Sequence, residues 1–289
     1  MDISNKSRTR AIIEKHEFKF KKKFGQNFIT DANILRKIID AAELSKDVSV
    51  IEVGPGIGAL TEYIARSAGK VVAYEIDETL IPILEEVMAP YVNVKIINED
   101  ILKADVNAII SQEMTGSAEI AVVANLPYYI TTPILMGLIE ARLPIDRYVV
   151  MVQLEVARRL SARPGTKDYN ALSIAVQYYC DVDIAINVPR DVFIPAPNVD
   201  SAVVVLKRKL EPPVQVKDEV FFMELIHACF KQRRKTLLNN LAVFFDGLTK
   251  EEITGLLEGI GIRPNVRGEA LSIGEFGKIA DVFYEVSAS

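Results

Sequence analysis

The sequence predicts an α/β protein with a doubly wound parallel sheet, an antiparallel C-terminal hairpin on that sheet, and a small all-helical domain at the end. Three observations lead to this fold class. Short apolar strands alternate with helical segments between residues 48 and 153, which is typical of βαβ units. Two late strands then follow without a helix between them, and beyond Pro212-Pro213 only helical periodicity remains. We therefore expect a basic N-terminal arm over 1–22, an α/β domain over 23–210 and a helical domain over 211–289.

Apolar periodicity gives the elements of the α/β domain in order. Asp31 can cap a first helix over 32–43, where apolar residues recur with helical spacing. Continuous apolar runs are typical of strands that are buried on both faces. Such runs predict strands at 48–53, 70–75, 92–97, 119–124 and 147–153, with helices at 77–88 and 132–141 among them. The hairpin strands are predicted at 181–187 and 201–207.

The remaining elements are helices. Two of them, at 154–162 and 170–179, precede the hairpin. The C-terminal domain is predicted to consist of helices at about 218–231, 234–245, 250–259 and 273–285. Thr249 with Glu252, and Ser272 with Glu275, have the spacing of capping boxes, which mark the starts of the last two helices.

Composition excludes several classes of protein. Hydrophobic residues make up 49% and charged residues 25% of the 289 positions, which is typical of a folded globular protein. No run approaches the ~20 apolar residues that a membrane helix needs, and the charged N-terminus lacks the apolar stretch of a signal peptide. We therefore expect a cytoplasmic protein without a membrane partner. The two cysteines and two histidines are too few and too scattered for a Cys/His metal site, so no metal is expected.

The charge distribution is uneven. The net charge is −5, yet eight Lys/Arg and two Glu between Lys6 and Lys23 give that segment 8 − 2 = +6 and leave −11 for the rest. A basic segment of this kind either contacts phosphates or is a solvated tail, and the sequence leaves both interpretations open.

A glycine-rich turn follows the first strand of the sheet. Glu52-Val53-Gly54-Pro55-Gly56-Ile57-Gly58 ends the strand at 48–53 and leads into a helix, which is the context of a nucleotide-binding turn. Glu75 ends the second strand 21 residues after Gly54, where its carboxylate can accept both hydroxyls of a ribose. These features predict an adenosine-bearing ligand, but glycine spacing alone does not separate NAD from S-adenosylmethionine.

Polar residues also follow two later strands. Asp100 ends the segment after the third strand and could accept hydrogens from an adenine amine. Asn125-Leu126-Pro127-Tyr128-Tyr129 directly follows the strand at 119–124. There an amide oxygen and a backbone carbonyl could accept the two hydrogens of an exocyclic amine while an aromatic ring stacks on the base. This set favours methyl transfer to a planar amino group and provides no acid or base for hydride chemistry.

These motifs resemble those of a known family. Lys23-Phe24-Gly25-Gln26-Asn27-Phe28, the turn at 52–61, the tetrapeptide at 125–128 and Phe193-x-Pro195-x-Pro197-x-Val199-x-Ser201 occur in one chain in that order. Together they are similar to motifs of the ribosomal RNA adenine N6,N6-dimethyltransferases, and the similarity extends from about Phe18 to the C-terminus. The resemblance implies a Rossmann-like class I methyltransferase sheet and S-adenosylmethionine as the cofactor.

The resemblance also implies residue roles at matching positions. The cofactor would be bound by Gln26, Asn27, Ile29, Gly54, Glu75, Asp100 and Asn125. The catalytic residues around the target adenine would be Asn125, Leu126, Pro127 and Tyr128, with Phe193 stacking on the other face of the base. We expect RNA phosphates to contact Lys19, Lys21, Lys22, Lys23, Arg158, Arg159, Arg163, Lys231, Arg233, Arg234 and Lys235. For Arg158 and its neighbours a solvated helix face is an equally good interpretation.

The implied activity is dimethylation of two adjacent adenosines in a hairpin loop near the 3′ end of small-subunit ribosomal RNA during ribosome biogenesis. The implied partners are that RNA and the precursor of the small ribosomal subunit, and the protein is expected to act as a monomer. An RNA-binding assembly or transcription factor that keeps the fold with catalysis secondary is the alternative. A nicotinamide dehydrogenase is disfavoured by the missing acid/base residues and by the basic arm.

Overall fold

The computed structural model describes residues 6–21 and 24–287. The chain divides into two compact units, the first formed by residues up to 157 and 182–208, the second by 158–181 and the residues from 209 onward. The sequence boundary at residue 210 therefore needs one change, because the segment 158–181 packs with the C-terminal helices. None of the described helices is long and apolar enough to cross a membrane.

The elements up to residue 208 begin with a helix in the basic N-terminal segment. In chain order they are α1 Lys6–Lys15, β1 Phe28–Ile29, α2 Ala32–Ala42, β2 Val48–Val53, α3 Ala59–Ser67, β3 Lys70–Glu75, α4 Ile81–Met88, β4 Val94–Asn98, α5 Val106–Glu113, β5 Glu119–Asn125, α6 Thr131–Glu140, β6 Arg147–Gln153, α7 Leu154–Leu160, α8 Ala171–Tyr179, β7 Cys180–Val188, β8 Phe193–Ile194 and β9 Ser201–Arg208. The last three residues of α7 and the whole of α8 belong to the second unit.

A seven-stranded sheet organises the first unit, and this confirms the expected fold class. Its order is β4-β3-β2-β5-β6-β9-β7. The pairs from β4 to β6 are parallel, whereas β9 runs antiparallel to β6. β9 is therefore an antiparallel addition to the parallel sheet, and β7 lies next to it at the edge. Because β2, β3, β4 and β5 run the same way, their carboxyl ends meet at one edge of the sheet.

The N-terminal segment folds onto the first unit. The side chains of Ile12 and Ile13 in α1 pack against its core, and the Lys15 ammonium forms an ion pair with Glu86 of α4. Farther along, the rings of Phe18, Phe20 and Phe28 form one cluster with centroids 5.4–5.9 Å apart. The basic arm of the sequence interpretation is thus partly a helix with apolar contacts.

The second unit is helical. Its further elements are α9 Glu219–Phe230, α10 Leu237–Phe244, α11 Lys250–Gly259 and α12 Ile273–Ser287. The predicted capping box at Thr249 and Glu252 is present, and Ser272 makes the same reciprocal bonds with Glu275. Tyr178 of α8 stacks at a tilt on Phe222 of α9, which explains why this helix clusters with the C-terminal ones.

Candidate active site

A cavity of about 1040 Å³, including the space open to solvent, lies at the carboxyl edge of the parallel strands. The turns after β2, β3, β4 and β5 all line it, together with the segment 24–29. Glu75 and Asn125 end β3 and β5, Asp100 follows the end of β4 by two residues, and all three line the cavity. This is the arrangement that the parallel topology predicts, because the carboxyl ends of such strands are neighbours.

The glycine turn leaves open space in this cavity. Gly54 has a φ of +69° and a Cβ added to it would meet no heavy atom within 4 Å. Gly56 has a φ of +61°, and an added Cβ would lie 2.9 Å from the ring of Phe28. Residues with side chains rarely adopt these backbone angles, so both positions require glycine. The turn can therefore bring its backbone close to a ligand at Gly54, while Gly56 accommodates the ring from the opposite wall.

Glu75 is the buried carboxylate of the site. One of its oxygens accepts the N–H of Gly56 at 3.1 Å and the other accepts the N–H of Asp77 at 2.9 Å. Burial raises the pKa of Glu75 to about 7, against the opposing effect of these hydrogen bonds. An ionised carboxylate has about four lone-pair sites, so Glu75 can still accept a hydrogen bond from a ligand hydroxyl in addition to its bonds within the protein.

The turn after β5 presents two acceptors. The Asn125 side-chain amide donates to the carbonyl of Asn27 at 3.0 Å, which orients its oxygen away from that bond. The Pro127 carbonyl is occupied, because the Ile130 N–H and the Thr131 hydroxyl both donate to it. Among the described residues, none donates to the Leu126 carbonyl. The amide oxygen of Asn125 and the carbonyl of Leu126 are therefore the acceptors that the turn has to offer.

Aromatic rings complete the turn. Tyr128 lines the cavity, and its hydroxyl is 2.5 Å from the Ser201 hydroxyl, which fixes the ring. Tyr129 also lines the cavity and is 57% exposed, with its ring beside Gly25. The sequence assigned no role to Tyr129.

The structure does not bring Phe193 to this cavity. Its side chain is only 3% exposed, belongs to the core of the first unit, and sits in β8, which pairs Phe193 with Ile29 of β1. The geometry therefore favours a core role for Phe193 over the stacking role that the resemblance implied. Ile29, by contrast, lines the cavity as expected.

Gln26 and Asn27 line the cavity, but their side chains are engaged within the protein. The Gln26 amide donates to Asp77 at 2.7 Å, and its oxygen accepts the N–H of Lys21 at 2.8 Å. The Asn27 amide donates to the Gly25 carbonyl. These contacts build the wall of the cavity. Asp77 was missed from the sequence, although its position two residues after Glu75 at the end of β3 was a usable indication.

The expected RNA-contacting residues fall into three groups. Lys19 is exposed, whereas the Lys21 ammonium is bound to Asp77 at 2.6 Å and to Thr79 at 3.0 Å and is not available for phosphate. Lys22 and Lys23 lie outside the described residues. The other seven belong to the second unit and are exposed, namely Arg158, Arg159, Arg163, Lys231, Arg233, Arg234 and Lys235.

One contact joins the two basic segments of the second unit. The Arg233 guanidinium, in the loop after α9, donates to the Lys167 carbonyl at 2.6 Å, in the loop after α7. This contact brings the loop after α9 beside the loop after α7, and the exposed basic residues of these two segments are called the basic surface below.

Comparison with known proteins agrees with this geometry. The family model of the ribosomal RNA adenine dimethylases matches residues 17–285. The chain is 55% identical over 287 residues to a ribosomal RNA small subunit methyltransferase A from Geobacillus sp. (strain WCH70), with 99% of both chains covered. It is 57% identical over 279 residues to the protein of the same name from Lactococcus lactis subsp. lactis (strain IL1403), covering 96% of this chain and 95% of that one.

Two solved methyltransferase structures are also similar to this chain. A dimethyladenosine transferase from Plasmodium falciparum superposes with a TM-score of 0.72 at 27% identity, covering 90% of this chain and 98% of that one. The 23S rRNA methyltransferase ErmE superposes with a TM-score of 0.67 at 26% identity, covering 88% and 98%. The family match spans most of the chain and both units, and the matched region contains every lining residue of the cavity. The protein therefore belongs to the ribosomal RNA adenine dimethylase family.

Proposed function

We propose that this protein transfers methyl groups from S-adenosylmethionine to N6 of adenosines in small-subunit ribosomal RNA and makes N6,N6-dimethyladenosine. The substrate would be two adjacent adenosines in a hairpin loop near the 3′ end, presented by a precursor of the small subunit to a monomeric enzyme in the cytoplasm. The observation that carries the proposal is the pair of acceptors at the turn after β5. The Asn27 carbonyl holds the Asn125 amide, and within the described part of the chain no group donates to the Asn125 side-chain oxygen or to the Leu126 carbonyl.

The polar groups that line the cavity support S-adenosylmethionine as the cofactor. The open space at Gly54 admits a ligand against the backbone, and the Glu75 carboxylate can accept the two ribose hydroxyls. Asp100, whose carboxylate accepts the Leu102 N–H at 3.1 Å, lines the same cavity and would accept the adenine amine. When bound, S-adenosylmethionine supplies an electrophilic methyl group on a positively charged sulfur.

The acceptors at 125 and 126 explain how a poor nucleophile reacts. The lone pair of an adenine N6 is delocalised into the ring, so the amine is planar and weakly nucleophilic. Hydrogen bonds from N6 to the Asn125 oxygen and the Leu126 carbonyl would favour a tetrahedral nitrogen with a localised lone pair. Orientation and fixed dipoles of this kind lower the barrier without a strong base, because the proton can leave after transfer.

Two further features would hold the RNA. The fixed ring of Tyr128 would stack on the flipped base, which is worth about 1–3 kcal/mol per stacked base. The basic surface joined by Arg233 and Lys167 would contact phosphates, which position a nucleic acid without reading its sequence.

The experiment incubates the full-length protein with labelled S-adenosylmethionine and unmethylated small ribosomal subunits, then digests the RNA and identifies the labelled nucleoside. We expect N6,N6-dimethyladenosine from the wild type and none from Asn125→Ala. Asn93→Ala is the matched control, because its amide also donates to backbone carbonyls, those of Ala65 and Ala68, but does not line the cavity.

The outcomes separate the candidate functions. Methylation of another nucleoside would refute the assigned target, and retained turnover in Asn125→Ala would refute the mechanism. A wild type that binds the subunit but transfers no methyl group would be an assembly factor that keeps the fold.

A further inference from the structure

Asp77 lies just outside the residues that the proposed chemistry uses. Its side chain is 1% exposed and follows Glu75 by two positions at the end of β3. A buried carboxylate is costly unless charged or hydrogen-bonding partners surround it. The hydrogen-bond partners of Asp77 indicate the role of this buried carboxylate.

The Asp77 carboxylate joins parts of the chain that are distant in sequence. One oxygen accepts the Lys21 ammonium at 2.6 Å and the Thr79 hydroxyl at 2.7 Å. The other oxygen accepts the Gln26 amide at 2.7 Å. The Gln26 side-chain oxygen in turn accepts the backbone N–H of Lys21, so Lys21, Gln26 and Asp77 are joined in a ring of hydrogen bonds that includes the Lys21 backbone. Burial alone would raise the pKa of Asp77, but the bonds from Lys21, Thr79 and Gln26 outweigh it and the pKa lies below its ordinary value.

The backbone of Asp77 serves the opposite wall of the same cavity. Its N–H donates to Glu75 at 2.9 Å and orients one oxygen of the carboxylate that faces the cavity. Gln26 belongs to the segment 24–29 that lines the other side. That segment has little regular structure of its own, because β1 is only two residues long. The hydrogen bonds to Asp77 therefore tie a weakly structured wall to the strand that carries Glu75.

We propose that Asp77 is a positioning residue for cofactor binding, which holds the wall at Gln26 and the carboxylate of Glu75 at the spacing that the adenosine part of the cofactor requires. The inference rests on the proposed function for the identity of the ligand. It also gives Lys21 a role inside the site in place of a phosphate contact.

The first measurement needs no ligand. Hydrogen exchange of the full-length, cofactor-free protein is compared for the wild type, Asp77→Ala and Asp105→Ala. Asp105 is a matched control, since it caps α5 through the Ala108 N–H and does not line the cavity. We expect faster exchange in the segment 24–29 for Asp77→Ala and unchanged exchange there for Asp105→Ala. Equal protection of this segment in all three proteins would overturn the proposal.

The second measurement is the dissociation constant of S-adenosylmethionine by calorimetry. Asp77→Ala removes charged hydrogen bonds, and we expect about tenfold to a hundredfold weaker binding. Because Gln26 acts through Asp77, Gln26→Ala should weaken binding in the wild type and add little in the Asp77→Ala background. The KM for the cofactor should rise in Asp77→Ala while kcat at saturating cofactor stays near the wild-type value.

The outcomes are distinct. An unchanged dissociation constant in a folded Asp77→Ala protein, or fully additive effects of the two substitutions, would overturn the positioning role. A wild type that binds no S-adenosylmethionine would overturn the proposed function, and the exchange measurement would still decide whether Asp77 holds the wall.

Discussion

Replacing Glu52 with glutamine tests whether the site contains a carboxyl group that is kept neutral by burial. Glu52 is at the end of β2, lines the cavity and is 1% exposed. Its Oε2 atom has no hydrogen-bond partner among the described residues. Burial raises the pKa of Glu52 from 4.5 to about 8, with the nearby Glu75 carboxylate adding to the effect. Glutamine has nearly the same shape and does not titrate.

The size of the effect follows from the pKa. Each unit of pKa corresponds to about 1.36 kcal/mol, so the step from 4.5 to about 8 corresponds to roughly 5 kcal/mol of unfolding free energy. Below pH 4.5 the carboxyl group is protonated in both states and costs nothing. Between pH 4.5 and 8 only the unfolded chain releases the proton, so the folded protein loses stability as the pH rises. Above pH 8 the full cost is present.

The assay is urea unfolding of the cofactor-free protein, followed by circular dichroism at pH 5, 7 and 9. Relative to the wild type, Glu52→Gln should gain roughly 3–5 kcal/mol between pH 5 and pH 9. Glu113→Gln is the control, because hydrogen bonds from Lys70 and Lys95 lower the pKa of Glu113 to about 2. That group is ionised throughout the range, so its difference from the wild type should be flat. Parallel stability curves for Glu52→Gln and the wild type would refute the reasoning.

Three further predictions follow from the site and the basic surface. Phe193→Ala should cost about 3–5 kcal/mol in urea unfolding because the ring is buried, and a loss below about 1 kcal/mol would return Phe193 to the stacking role. Burial raises the pKa of Glu75 to about 7, and ribose binding needs the ionised form, so calorimetry should show cofactor affinity rising with pH up to about 7 and levelling off above it. Glu75→Gln should remove this dependence on pH. Replacing Lys231 and Arg234 with glutamine should lower the salt dependence of RNA affinity by about 0.7–0.9 for each phosphate that is no longer neutralised, while Lys250→Gln, whose ammonium is bound to Asn239 in the same unit, should leave it unchanged.

The strands and much of the cavity could be predicted from the sequence. The strands at 48–53, 70–75 and 147–153 have the expected bounds, because continuous apolar runs determine where a buried strand begins and ends. Parallel topology then brings Glu75, Asp100 and Asn125 to one edge, so their meeting in one cavity followed from their places in the chain. The helix α5 at Val106–Glu113 was missed.

The positions of several side chains and the division into two units depend on tertiary contacts. In the sequence Phe193 stands in a proline-rich segment beside Pro195 and Pro197, and only the fold, with β8 paired to β1, shows that its ring is buried. Lys21 has the same appearance in the sequence as its basic neighbours, yet a carboxylate 56 residues away binds its ammonium. The segment 158–181 precedes the hairpin in the chain and packs with the C-terminal helices in space. Apolar periodicity determines which face of a segment is buried. The residues that cover this face, or that neutralise a charge on the segment, lie far away in the sequence. Only the folded chain brings such distant residues together.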